Sequence, residues 1–249
     1  MEAIADGRYV YCIIECDKRK SFGAIGIGGH REVYTVSYKD VSAVVSDTPL
    51  VEYEPIEENA LTHMNVIQRV MQEHTVLPLR FCTIFKGDVG LRSALARLYH
   101  ESKTELRRLE DKVELGVKVL WHPDRAAEEV RKMNDRIRTL EEEMKGKTPG
   151  IGYLLKIKLD EALKEELNRM TEEYSAIIFK ELKNHALEAR QSQLIGHMIL
   201  NAAFLMHKSS ENDFRSAVEI ITERHRPNGL EFLCSGPWPP FNFVNIRYE

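Results

Sequence analysis

The chain has 249 residues, 43% of them hydrophobic and 30% charged, enough for a buried core beneath a charge-rich surface. Thirty-nine acids against 35 bases leave a formal charge of -4, so no global field gathers nucleic acid or an anionic membrane. No apolar run reaches the roughly 18 residues of a membrane span, and Met1-Glu2-Ala3-Ile4-Ala5-Asp6 lacks the regions of a signal peptide; a cytoplasmic protein is expected.

Taken in order, Tyr9 to Cys16 reads as a buried strand rich in β-branched and aromatic residues. Phe22 to His30 is a glycine-rich connection, and Glu32 to Ser37 with Val41 to Ser46 predict a hairpin around Tyr38-Lys39-Asp40. Pro55 to His74 predicts a helix with Leu61, Met64, Ile67, Val70 and Met71 on its apolar stripe. Val76 to Phe85 is strand-like, and Pro78 within it points to an edge strand or a bulge. Asp88 is placed as the cap of a helix running to about Leu109, and Val113 to Trp121 alternates as a closing strand. Strand, hairpin, helix, strand, helix, strand approaches a ferredoxin-like plan with one strand displaced. A domain boundary is expected near Trp121-His122-Pro123, giving domains 1–121 and 122–249.

Beyond that boundary Val130, Met133, Ile137, Leu140 and Met144 step by three and four, the seam of a coiled coil. Gly146 to Gly152 interrupts the helix, and a stripe from Leu155 to Ile178 carries a second one to about Lys183, roughly 50 Å at 1.5 Å per residue. Leu194 to His207 then predicts a strand, Phe214 to His225 a helix and Leu230 to Cys234 a strand. The fold class expected is α+β with two domains, the second a long helical hairpin beside a strand-helix-strand unit.

Candidate chemistry is sparse. Gly26-Ile27-Gly28-Gly29-His30 leads into a strand, so no helix N-terminus is offered to a phosphate, and no Walker pattern is present. His63 and His74 share a helix face about three turns apart, roughly 16 Å, too far for one metal. Cys12, Cys16, Cys82 and Cys234 have no zinc spacing and read as small hydrophobes. No serine or cysteine nucleophile context occurs, and paired carboxylates fall on amphipathic helices where solvation explains them. No catalytic, cofactor-binding or metal site is assigned. Arg80, set among hydrophobes in Leu77-Pro78-Leu79-Arg80-Phe81, is expected to be buried and paired.

The chain closes on Gly236-Pro237-Trp238-Pro239-Pro240-Phe241-Asn242-Phe243-Val244. Three prolines remove three backbone donors and fix φ, so neither a helix nor a central strand passes through. The segment is a stiff strap presenting Trp238, Phe241 and Phe243 at low entropic cost. With Val76-Leu77-Pro78-Leu79-Arg80-Phe81 and Gly7-Arg8-Tyr9-Val10-Tyr11, this ordered series resembles the gas vesicle protein F/L family nearly end to end.

The resemblance implies a modified ferredoxin-like N-terminal domain and a non-enzymatic minor structural or accessory protein of gas vesicles, without cofactor. Its implied partners are the hydrophobic major shell protein and other accessory proteins, and its implied location is the vesicle shell within the cytoplasm. The residues that carry the resemblance, His63, Pro78, Arg80, Phe81, Pro237, Trp238, Pro239, Pro240 and Phe241, are the candidate structural or partner-contact positions. Cys82 stands where the family commonly has glycine, which puts in question a special backbone conformation there. The alternative from another class is a small-molecule binder or enzyme with His30 and His63 as pocket residues. F-type and L-type roles are not distinguished.

Overall fold

The computed structural model describes residues 6–246; the start of the chain, Met1 to Ala5, where no leader is expected, lies outside them. Two compact units are formed, the first running to Glu114 and resuming at Pro237, the second covering Leu115–Gly236. The division falls inside a strand and not at Trp121-His122-Pro123, and the tail packs with the first unit and not the second.

The first unit is a six-stranded antiparallel sheet built from β1 (Gly7–Glu15), β2 (Ser21–Gly26), β3 (Arg31–Tyr38), β4 (Val41–Thr48), β5 (Leu77–Pro78) and β6 (Ile84–Lys86). The order is β2-β3-β4-β1-β5, with β6 also on β1. Part of the glycine-rich connection is therefore a strand: β2 pairs with β3 through two register shifts, which the small residues Gly23 and Gly26 accommodate. The expected strand at Val76 to Phe85 divides into β5 and β6, and Leu79 N–H continues the pairing by donating to Tyr11 O at 2.9 Å.

α1 (Glu57–Met71) buries His63, Val66, Ile67 and Val70, a stripe turned one position from the one expected, and leaves Leu61 52% exposed. The expected single helix at 88–109 is two, α2 (Gly87–Arg97) and α3 (Tyr99–Arg108), broken at Leu98. Asp88 is not its cap; it lies in the first turn of α2 and accepts from Arg8 Nε at 2.7 Å.

The second sheet has the order β10-β7-β9-β8, from β7 (Lys112–Trp121), β8 (Glu188–Gln191), β9 (Met198–His207) and β10 (Leu230–Trp238). The expected closing strand of a ferredoxin-like sheet, β7, belongs here instead. Val113, Leu115, Val117, Val119 and Trp121 are all buried along it, as an interior position between two partners demands. β10 runs past Cys234 through Pro237 to Trp238; it ends the sheet, where a proline need donate no ladder bond. The hairpin β8–β9 replaces the single strand expected from Leu194.

The helical hairpin of this unit consists of α4 (Pro123–Met133), α5 (Asp135–Met144) and α6 (Pro149–Lys183), the last 35 residues long. The expected continuous seam from Val130 to Met144 is interrupted at Asn134, whose φ of -116° and ψ of 108° are not helical. Val130 and Ile137 are buried on either side, but Met133 is turned out to 68% exposure. Asn134 Oδ1 accepts from Ile137 N–H at 3.2 Å, the N-cap bond of α5. Asn134→Ala is expected to cost about 1 kcal/mol, read as a lower thermal midpoint. α6 buries Leu159, Ala162, Met170, Ile178 and Leu182, and packs on α5, β9 and α7 (Glu211–His225). Phe204 lies 5.9 Å from Phe179 and 5.1 Å from Phe214 by ring centroids, marking the core of the unit. No helix among the described residues is long and apolar enough to cross a membrane.

Candidate functional site

The densest polar cluster of the first unit grows from an irregularity in β1. Register shifts between Val10 and Cys12, a bulge that reverses strand parity. Tyr9 and Tyr11 before it and Cys12 and Ile14 after it thereby join one core cluster. Two buried tyrosine hydroxyls must then find partners. Tyr11 Oη accepts from Ile27 N–H at 2.8 Å and bonds Ser46 Oγ at 2.8 Å. Tyr9 Oη accepts from Cys82 N–H at 3.0 Å, so its own hydrogen goes to His63 Nδ1, also at 3.0 Å. His63 Nε2–H in turn donates to the Leu79 carbonyl at 3.1 Å.

That accounting fixes the imidazole as neutral with its hydrogen on Nε2. Burial pushes the His63 pKa down to about 4, opposed by the bond to Leu79. Burial likewise pushes Tyr9 and Tyr11 upward, so both phenols stay protonated. Around the imidazole stand the rings of Tyr9 at 5.6 Å, Tyr11 at 5.7 Å, Phe81 at 5.8 Å and Phe241 at 6.5 Å. Both ring nitrogens are occupied by neutral partners, so binding a proton or a metal requires breaking one of these bonds. The geometry ties β1, α1, the segment after β5 and the tail together. It is a clasp. Among the described residues no group of three or more histidine, cysteine or acidic side chains could hold a metal ion.

Of the candidate positions, the structure brings His63, Phe81 and Phe241 into this cluster, with Pro78 buried next to it opposite Cys12 of β1. Arg80 is not buried: its side chain is exposed, and it is the Arg80 carbonyl that accepts from Thr83 Oγ1 at 2.7 Å. The strand stops at Leu79, so residue 80 turns to solvent, where a guanidinium needs no partner. In the tail Pro237 is exposed, Trp238 half-buried, and Pro239 and Pro240 buried. Of the residues proposed for the alternative pocket, His63 is closed inside the cluster and His30 lies in an exposed turn at φ 55°.

Sequence reasoning passed over Tyr9, Tyr11 and Tyr53 as members of the cluster. The signal was present in Tyr9-Val10-Tyr11, since a phenol on an otherwise apolar strand requires a polar partner across the core. Cys82 does adopt a left-handed conformation, φ 63°, although it is not glycine. Its Sγ accepts from Tyr53 N–H at 3.2 Å and its N–H serves Tyr9, so the special backbone persists with a side chain in use. Cys82→Val is expected to cost about 1–2 kcal/mol, because a β-branched residue is strained at this φ, whereas Cys82→Gly is tolerated. Urea midpoints of the two variants test that order.

The second constellation lies where the tail meets α3. Glu114 accepts from Asn242 N–H at 2.9 Å and from Asn242 Nδ2 at 2.5 Å. Arg108 bonds both oxygens of Glu105, at 2.9 and 2.8 Å, and also donates to the Phe243 carbonyl. Burial works to raise the Glu105 pKa, but Arg108 and Asn245 outweigh it and hold the carboxyl below its usual range.

Fold and sites together define a two-unit α+β protein whose tightest polar clusters serve to lock its own tail and strands. A model of the family described as gas vesicle synthesis protein GvpL/GvpF matches residues 7–245, and the chain belongs to that family. It is similar to gas vesicle protein F1 of Halobacterium salinarum, with 27% identity over 98% of this chain and 95% of that protein. It is similar to gas vesicle protein L1 of the same organism at 26%, over 97% and 92%. The crystal structure of GvpF from Anabaena superposes with a TM-score of 0.82 at 22% identity, covering 97% of this chain and 99% of the other, and shows the same fold.

Proposed function

We propose that this chain is a non-enzymatic accessory protein of gas vesicle assembly that binds the apolar major shell subunit at the growing shell, in the cytoplasm. The observation that carries this reading is the family match along residues 7–245. A small apolar shell subunit needs its surface covered before incorporation. An end strand is a physical means of doing so, since it offers main-chain pairing to an incoming segment.

β8 ends the second sheet, and Leu187, Leu194 and Ile195 stand 53%, 47% and 67% exposed beside it. In this reading they receive apolar side chains while the strand edge receives the backbone. The clasp residues His63, Pro78, Phe81 and Phe241 hold the first unit in shape and do not touch the subunit. The test is co-purification of tagged full-length chain with the shell subunit from cells producing vesicles. Recovery of the subunit, reduced by Leu194→Glu with Ile195→Glu, is expected; absence of the subunit from the wild-type eluate would reject the proposal.

A further inference from the structure

Two exposed surfaces of this chain match each other in chemistry and oppose each other in charge. The first lies between β4 and the second turn of α1, where Leu50, Val51, Ile56 and Leu61 are 52%, 50%, 50% and 52% exposed. Glu52, Glu54, Glu57 and Glu58 are exposed among them. Asn59 Nδ2 donates to the Glu54 carbonyl at 2.9 Å, which fastens the loop to the first turn of the helix. The second is the start of α6, where Ile151, Tyr153, Leu154 and Ile157 are 52%, 66%, 61% and 39% exposed. Lys145, Lys147, Lys156 and Lys158 are exposed around them, and no acid occurs from Met144 to Leu159.

Solvation of single side chains accounts for neither surface. One exposed leucine is ordinary; four apolar side chains within a rim of one sign mark a contact site. Charges elsewhere on the helices are paired along the chain, as Arg169 is with Glu166 and Glu173, and Lys132 with Glu128. Among the described residues none of the eight rim charges takes part in an ion pair. Tyr153, Leu154 and Ile157 also lie off the stripe that α6 buries through Leu159 and Ala162, so the hairpin does not use them.

We infer that the acidic surface of one copy of this chain receives the basic surface of a second copy. The apolar groups meet in the middle and the glutamates and lysines pair around them. A membrane suits one surface and is repelled by the other, whereas a second copy supplies the complement of both. Because the two surfaces differ, the contact is heterologous: each bound pair keeps one surface of each kind open, and association continues into rings or filaments. The contact does not depend on the shell subunit.

The test uses the full chain alone, by sedimentation velocity across a concentration series. Wild-type protein is expected to grow in mass with concentration at low salt and to lose most of that growth in about 1 M salt, where charges are screened beyond about 3 Å. Replacing Glu52, Glu54, Glu57 and Glu58 together by Lys makes both surfaces basic, and replacing Lys145, Lys147, Lys156 and Lys158 together by Glu makes both acidic. Each fourfold variant alone is expected to stay monomeric with an unchanged circular dichroism spectrum, and an equimolar mixture of the two to associate again. A wild-type protein that stays monomeric at every concentration, association indifferent to the reversals, or a mixture that fails to reassociate would each overturn the inference.

Discussion

Phe243→Ala is expected to be the most damaging single substitution in the tail, lowering stability by about 3–5 kcal/mol. Phe243 is completely buried, and its environment holds it in place from three sides. Its N–H donates to the Pro240 carbonyl at 3.0 Å, closing a turn that the two preceding prolines stiffen. Its carbonyl accepts from Arg108, and the neighbouring Asn242 is clamped to Glu114 by backbone and side chain together. A site so fastened cannot collapse around the missing ring, so the cavity persists and the cost lies toward the upper part of the range. The measurement is a urea titration reporting on the amides of β1 and α3. A loss below about 1 kcal/mol would show that the tail is dispensable to the first unit.

The second large effect is acid sensitivity. His63 has a folded pKa of about 4 against an ordinary value of 6.5, lowered chiefly by burial. Protonation is therefore easier in the unfolded chain. The contribution is complete above pH 6.5 and is lost as the pH falls from 6.5 through 4, reaching about 3 kcal/mol. Mechanically, a proton on Nδ1 would point at the Tyr9 hydroxyl, which already accepts from Cys82 and would then have no acceptor for its own hydrogen. His225, also lowered by burial, with Arg224 adding to the effect and Glu181 opposing it, acts in the same direction from the second unit. The decisive comparison is thus between wild type and His63→Gln. Gln keeps a donor for the Leu79 carbonyl but does not titrate, so the variant's stability should change less between pH 6.5 and 4. An identical slope in both proteins would assign the acid sensitivity elsewhere.

The clasp explains why a tail in one polypeptide can matter to strands laid down at its beginning. Phe241 packs on the cluster that Tyr9, Tyr11 and His63 build, and Phe243 on the other side of the same turn completes the first unit. Rings supply most of this contact because they bury large area with few rotatable bonds to freeze.

Periodicity alone placed α1, the long α6, α7 and the β3–β4 hairpin, because each has a stripe or alternation of its own that local spacing makes visible. The order of those elements likewise pointed to an α+β chain, and the proline-aromatic tail announced a stiff segment that must pack. Which sheet β7 joins was not legible: an alternating apolar strand suits either, and pairing across distant residues decides it. The same holds for the bulge at Tyr11, which sends two tyrosines and a cysteine to one face, and for Arg80, which is exposed because the strand stops one residue before it. The tail could be read as needing a pocket, but not as finding it between Glu114, Arg108 and His63. Hydrophobic pattern is a local property of a chain; register, bulges and polar pairing are settled by whichever distant group satisfies a buried donor, and that information exists only once the chain has closed on itself.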